Sequence, residues 1–204
     1  NNFNREPIVI EDLKIKATGK TVNVIEAMDG QLITNCLKFE TKTDDEGFAI
    51  SDLENDVLKM VVVNRYEPAV PAIAFIKNFN LQEGALASCV GHDSHNIIAV
   101  GVDDQSILNA VNLIVEAKGG VSAVSTTEKQ LLPLPVAGIM SADDGYDVAR
   151  NYSKIDALSK QMGSTLVSPF MTLSFMALLV IPELKLSDKG LFDGSHFKFK
   201  SLFE

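Results

Sequence analysis

Short apolar runs bounded by polar turns dominate the first quarter of the chain. Residues 21–27 alternate between apolar and polar positions, residues 32–39 form a second such run, and the pair Asp29-Gly30 between them is typical of a turn. An acidic stretch at residues 52–56 then leads into the rest of the chain. We therefore expect residues 1–56 to form a small β-rich segment that packs separately or at the edge of a larger sheet.

Four closely spaced apolar runs predict that larger sheet, and they lie at residues 58–64, 72–77, 85–90 and 96–100. Their short connections contain Pro68, Pro71 and Gly84, and short links favour antiparallel pairing of neighbouring strands. Residues 121–124 predict a further strand. Because residues 131–140 contain two prolines, any strand there should be irregular or lie at an edge.

Two segments carry apolar residues at helical spacing, which predicts helices near residues 104–118 and 143–162. Asp103 or Asp104 can cap the first helix, and Gly119-Gly120 can end it. The expected fold is α+β, with a mixed, largely antiparallel sheet covered by two main helices. In this division, residues 57–204 form an α/β domain after the β-rich segment 1–56.

Two further apolar segments lie towards the C-terminus of the chain. The most apolar stretch, residues 170–181, is too short to span a bilayer, and we expect it to be a core strand or another buried segment. The tail from Leu191 to Phe203 alternates around Phe197 and Phe199, which indicates a last strand.

Composition narrows the range of partners. The 204 residues carry a net charge of −9 and no run of basic residues, so we expect neither nucleic acid nor an anionic membrane as a partner.

Cys36 and Cys89 lie in apolar runs and are expected to be free thiols, which fits a cytoplasmic location. The chain begins at Asn1 with no signal peptide, and we expect it to be cut from a longer protein.

The densest polar cluster is His92-Asp93-Ser94-His95-Asn96, between two apolar runs. Polar side chains next to buried strands are costly to leave unpaired. One interpretation is a structural turn whose side chains satisfy backbone groups. A second is a metal site, although the two histidines are three residues apart on a turn and His196 is the only other histidine. A third is a loop that faces an active site formed elsewhere, because histidine titrates near neutrality.

Three other kinds of chemistry are not expected: serine hydrolysis, cysteine nucleophilic catalysis and phosphate binding by a glycine-rich loop. Ser94 lies between two histidines, but a serine triad is assembled from distant positions, and no Gly-x-Ser-x-Gly turn is present. Cys89 has no basic activator in its own strand and is typical of a core residue. Gly119-Gly120 is typical of a helix end rather than of a phosphate loop.

Four blocks of sequence resemble the C-terminal domain of the bacterial adenine deaminase family, in the metal-dependent amidohydrolase superfamily. They are residues 90–98, 132–141, 169–175 and 182–191, and they follow the family's order. The resemblance runs from about Val22 to the C-terminus. The family's catalytic barrel, with its His-x-His metal motif, has no counterpart in this chain.

The resemblance implies that the full-length enzyme hydrolyses adenine to hypoxanthine and ammonia, using a divalent metal, manganese or iron, bound in the absent barrel. It also implies that the partners of this chain are its own N-terminal barrel and further copies in a homo-oligomer. No residue here can be assigned as catalytic, cofactor-binding or metal-binding with certainty, and the candidate active-site loop is His92, Asp93, Ser94, His95 and Asn96.

Several expectations follow for the chain by itself. The isolated chain should be inactive, and an apolar patch should be exposed near residues 170–175 or 131–140, where the rest of the enzyme or a second subunit packs. The candidate loop should lie at the end of two adjacent strands with at least one histidine at the surface. Three alternatives stay open: a nucleobase-binding domain, a structural or oligomerisation domain, and a small metallohydrolase built on His92 and His95.

Overall fold

A computed structural model describes residues 2–204 and shows a large central sheet with helices on both faces. The elements in chain order are β1 (Thr21–Ala27), β2 (Thr34–Glu40), β3 (Val57–Val63), β4 (Ala72–Lys77), β5 (Ala85–Ser88), β6 (Ile97–Gly101), α1 (Asp104–Ala117), β7 (Gly120–Val124), β8 (Lys129–Pro133), α2 (Gly145–Gln161), α3 (Pro169–Phe175), β9 (Leu184–Ser187), β10 (Gly190–Asp193) and β11 (Lys198–Phe199). Short 3₁₀ turns lie at Ile10–Leu13 and Leu53–Asn55.

The central sheet has eight strands in the order β2-β1-β4-β3-β6-β5-β7-β8, and all its neighbours are antiparallel except β1 and β4. The predicted α+β class and the largely antiparallel sheet are therefore confirmed. The four predicted strands correspond to β3, β4, β5 and β6, each within about three residues of its expected ends.

The two largest hydrophobic clusters lie on opposite faces of the sheet, and a third, smaller cluster lies at the β1 edge. On one face, α1 and the N-terminal segment pack against Val61, Val63 and their neighbours. On the other face, α2, α3 and β9 pack against Met60, Val62 and their neighbours. All seven residues of β3 are buried, because this central strand is covered on both faces.

The first 56 residues contribute the strands at one edge of the same sheet. Strand β1 pairs in parallel with β4 through Val24↔Phe75 and Ile25↔Ile76, and β2 pairs with β1 on the outside. The division into two domains at residue 56 stays a prediction, while the β-rich character of the segment is visible in β1 and β2.

The helix ends follow the capping rules. The Asp103 carboxylate accepts the amide of Ser106 at 2.7 Å and starts α1, while Lys118 adopts the left-handed conformation that ends it. The Asp144 carboxylate accepts the amide of Tyr146 at 2.9 Å, so α2 begins at Gly145, two residues after the predicted start at residue 143. The longest helix, α2, spans 17 residues, and within residues 2–204 no helix combines the length and apolar character needed to cross a membrane.

The apolar stretch from Phe170 forms a short helix, so the prediction of a core strand there is wrong. The alternative of a buried segment is right only for part of the stretch, because some of its residues are exposed. Pro169 occupies the first turn of α3, where its missing N–H costs nothing. Phe170 is buried, as are Leu173 and Ser174, which follow it by three and four residues, while Met171 is exposed. The run looked strand-like because almost every residue in it is apolar, which hides the helical period.

The C-terminal residues form a small separate sheet in the order β11-β10-β9. Strand β9 contacts β2 and β4, so this sheet covers part of the same face as α3. The predicted tail strand from Leu191 to Phe203 is instead two short antiparallel strands, β10 and β11, and Phe197 lies in the turn between them.

Candidate functional site

The candidate loop, residues 92–96, connects β5 to β6, which are neighbouring antiparallel strands of the central sheet. Strand β6 also pairs with β3 through Val63↔Ile97, so the residues that follow β3 lie beside the loop. The loop therefore lies at the end of the central strands, where β3 ends and β6 begins.

Backbone and side-chain hydrogen bonds fix the loop against its surroundings. The Asn96 side-chain oxygen accepts the amide of Arg65 at 3.3 Å, and the hydroxyl of Tyr66 donates to the carbonyl of Ser94 at 2.6 Å. On the opposite side, the amide of His92 donates to the carbonyl of Ser174 at 3.0 Å. The loop is thus held between the end of β3 and helix α3, and Asn96 acts as the structural part of the cluster.

The two histidines are half-buried and reach different neighbours. The His92 ring stacks on the ring of Phe175, with centroids 4.8 Å apart and an interplanar angle of 22°. The His92 and His95 ring centroids are 6.2 Å apart. Asp93 and Ser94 are exposed, so the loop presents a carboxylate, a hydroxyl and part of two imidazoles to the outside.

His95 lies in an environment that disfavours its charged form. Burial lowers the pKa of His95, the nearby Arg65 and His92 lower it further, and Asp93 opposes them. The Nδ1 atom of His95 is buried and has no hydrogen-bond partner within residues 2–204. At neutral pH this imidazole is therefore mainly neutral and has one ring nitrogen free to act as a donor or an acceptor.

Arg65 is a site residue that sequence reasoning missed. It is only 5% exposed, and its guanidinium donates to the carbonyl of Ala137 at 2.9 Å and to the hydroxyl of Tyr66 at 3.0 Å. Among the described residues it forms no ion pair with a carboxylate, so a buried positive charge faces the loop without a counter-charge. The available signal was the polar run Asn64-Arg65-Tyr66 directly after a buried strand.

The N-terminal end of the described chain lies next to this cluster. The amide of Asn4 donates to the carbonyl of Arg65 at 2.8 Å, and the Arg65 guanidinium carbon lies 5.7 Å from the centre of the Phe3 ring. The chain therefore enters the structure at the end of the sheet that carries the candidate loop.

The same loop borders a pocket between the sheet and helices α2 and α3. The pocket has a volume of about 250 Å³. Its lining residues are Ser88, Val90, His92, Val121, Leu132, Leu134, Tyr152, Phe170, Met171 and Ser174. His92 thus belongs both to the loop and to the pocket wall.

The described residues do not fit a metal ion. Across residues 2–204, no three His, Cys, Asp or Glu side chains come together in a way that could coordinate a metal. The remaining histidine, His196, pairs with Asp193 at 2.8 Å in the small sheet. The donor set of His92 and His95 lacks the further ligands that a catalytic zinc or manganese site needs.

Apolar side chains are exposed on α3 and on the segment that follows β8. Met171 is 55% exposed and Met140 is 52% exposed, whereas Phe170 is buried and Phe175 is half-buried. Val167, just before α3, is 75% exposed. Exposed apolar side chains are therefore present in both segments, and the contiguous apolar patch stays a prediction.

Comparisons with known proteins identify the family of this chain. The profile of the adenine deaminase C-terminal domain family matches residues 31–198. The chain is 51% identical to the adenine deaminase of Salinibacter ruber, 49% identical to that of Parabacteroides distasonis and 49% identical to that of Methanosarcina barkeri, each over 100% of this chain. It spans only 37% to 38% of the length of these relatives. The chain belongs to the adenine deaminase C-terminal domain family.

Proposed function

We propose that this chain is the C-terminal domain of an enzyme that hydrolyses adenine to hypoxanthine and ammonia. The observation that carries the proposal is the match of the whole chain to proteins named adenine deaminase at about 50% identity. The residues described here provide no metal site, so we place the divalent metal, manganese or iron, in the portion of the enzyme that precedes this domain.

The role of the domain is to bring the loop of residues 92–96 to the border of the active site. The entry of the chain beside Arg65 supports this role, because the portion that precedes residue 2 in the relatives would then emerge next to the loop. The neutral His95 ring and the exposed Asp93 carboxylate can form hydrogen bonds with a base in that site. The exposed apolar side chains near Met171 and Met140 would be covered by the rest of the enzyme or by a second subunit.

The proposal also covers the location of the enzyme in the cell and its oligomeric state. Cys36 and Cys89 are both unpaired, as expected for a protein of the reducing cytoplasm. We place the enzyme there, in purine salvage, as a homo-oligomer.

A chimera tests the proposal. This chain would replace the corresponding C-terminal portion of the Salinibacter ruber enzyme, and ammonia release from adenine would be measured. We expect the chimera to deaminate adenine, while a chimera that carries an unrelated domain of similar size should not. A folded chimera with no activity towards adenine would contradict the proposal.

The isolated chain provides a second test. Purified residues 1–204 should produce no hypoxanthine from adenine, with or without added manganese, iron or zinc. Turnover that follows the pure protein and is lost in His92→Ala would instead support the metallohydrolase alternative.

A further inference from the structure

The pocket behind His92 has the features of a small-molecule site. Its floor is aliphatic and comes from the sheet, through Val121 of β7, Leu132 of β8 and Leu134 just after it. Aromatic rings form much of its wall, with Tyr152 of α2 and Phe170 of α3 tilted at 60° to each other and 6.1 Å apart. Apolar walls of this kind bury the faces of a flat ligand.

The lining also includes polar side chains with unused hydrogen-bonding capacity. The Ser88 hydroxyl accepts the amide of Val90 at 3.0 Å, which leaves its own O–H free to donate. The Tyr152 hydroxyl and the His92 ring nitrogens form no hydrogen bond within residues 2–204. The lining therefore contains three polar side chains whose hydrogen-bonding capacity is available to orient a ligand.

Charge and size restrict what the pocket can hold. None of its ten lining residues is Asp, Glu, Lys or Arg, so a charged group would lose its hydration without gaining a counter-charge. Its volume of about 250 Å³ lies below the roughly 300–1,000 Å³ of sites for larger ligands. A ligand with one or two fused rings matches this space.

The pocket is also accessible from outside. Met171, which lines it, is 55% exposed, and His92 at another part of the wall is half-buried. A ligand could therefore enter beside the candidate loop without unfolding the core.

We propose that this pocket binds a free, uncharged heterocycle of one or two rings, at a site on the C-terminal domain itself. The choice of adenine and hypoxanthine as probes rests on the proposed function, since they are the base that the full enzyme would consume and the base that it would release. Binding to the 204-residue chain requires no turnover, so the two proposals can fail separately.

Isothermal titration calorimetry of the 204-residue chain with adenine and with hypoxanthine tests the site. We expect saturable binding of at least one of the two bases. Adenosine monophosphate should bind at least tenfold more weakly, because its phosphate meets no cation in the lining. Saturable binding of neither base to the folded protein, or equally tight binding of the monophosphate, would overturn the proposal.

Two variants locate the binding in the pocket. Leu132→Phe fills the space and should abolish binding, and Tyr152→Phe removes one hydroxyl and should weaken binding about twofold to tenfold. Tyr146→Phe on the same helix is the matched control, because Tyr146 is 79% exposed and lies outside the lining. Melting temperatures would show that each variant is folded, and Tyr152→Phe keeps the test decisive if Leu132→Phe does not fold. Unchanged affinity in both folded variants would place the ligand elsewhere and refute the proposal.

Discussion

Lys185 gives a sharp stability prediction, because among residues 2–204 no carboxylate forms an ion pair with its buried ammonium group. It lies in β9, is 0% exposed, and donates to the carbonyl of Leu32 at 2.6 Å. Burial lowers the pKa of Lys185 from 10.5 to about 8. The charged form is therefore less stable in the folded protein than in the unfolded chain.

The unfavourable free energy of the buried ammonium group, and the pH range in which it acts, follow from the pKa of Lys185 in the folded protein and in the unfolded chain. The lowering of the pKa corresponds to at most about 3 kcal/mol of unfavourable free energy while the lysine is charged in both states, below about pH 8. Between about pH 8 and 10.5 the unfolded chain binds more protons than the folded protein, so the free energy of unfolding rises with pH. Above 10.5 the lysine is neutral in both states and the cost disappears.

Lys185→Met should therefore stabilise the protein at pH 7. The variant removes the charged group but also loses the hydrogen bond to Leu32, which costs about 1 kcal/mol. We expect a net gain of about 1–2 kcal/mol at pH 7 that falls to zero or below as the pH approaches 10.5.

Urea unfolding at several pH values between 6.5 and 10.5 measures this gain by linear extrapolation. Lys189→Met is the matched control, because Lys189 lies in the same hairpin but is exposed, and its effect should be small at every pH. A Lys185→Met variant that is less stable than the wild type at pH 7, or whose gain does not depend on pH, would refute the reasoning.

Three further predictions concern buried groups. Asp104→Asn should lower the free energy of unfolding by about 2–3 kcal/mol, measured by urea unfolding, because it leaves the buried Lys59 ammonium without its ion pair. Gly84→Ala should cost at least about 2 kcal/mol more than Gly30→Ala. Both glycines have positive φ, but a Cβ at Gly84 would lie 2.0 Å from a carbonyl oxygen of β7, whereas a Cβ at Gly30 meets open space. Burial raises the pKa of Cys89, so alkylation at pH 8 followed by mass spectrometry should label this thiol only after unfolding.

The strands and the two long helices were predictable because local signals specify them. Strands β3 to β6 are short apolar runs that end at Gly, Pro or polar turns, and α1 and α2 have capping aspartates and one apolar stripe each. The order of the strands was not predictable, because β4 and β5 are consecutive in sequence but lie apart, with β3 and β6 between them. Strand order depends on packing between distant segments, which single-sequence patterns do not encode.

The candidate site was only partly predictable for the same reason. The loop at residues 92–96 stands out by composition, but its contacts with Arg65 and Phe175 join residues that are 31 and more than 80 positions apart. The pocket likewise combines side chains of β5, β7, β8, α2 and α3. Its polar members Ser88 and Tyr152 lie in ordinary strand and helix patterns, so no local signal marks them.

The central claim is that the loop of residues 92–96 borders the active site of the full-length deaminase. Steady-state kinetics of His92→Ala and His95→Ala in the full-length enzyme test it most directly, with His196→Ala as the control that removes the third histidine. We expect kcat/KM for adenine to fall at least about tenfold in one or both loop variants, with melting temperatures nearly unchanged and His196→Ala fully active. Full activity in both loop variants, accompanied only by a loss of stability, would show that the loop is a structural turn and would contradict the claim.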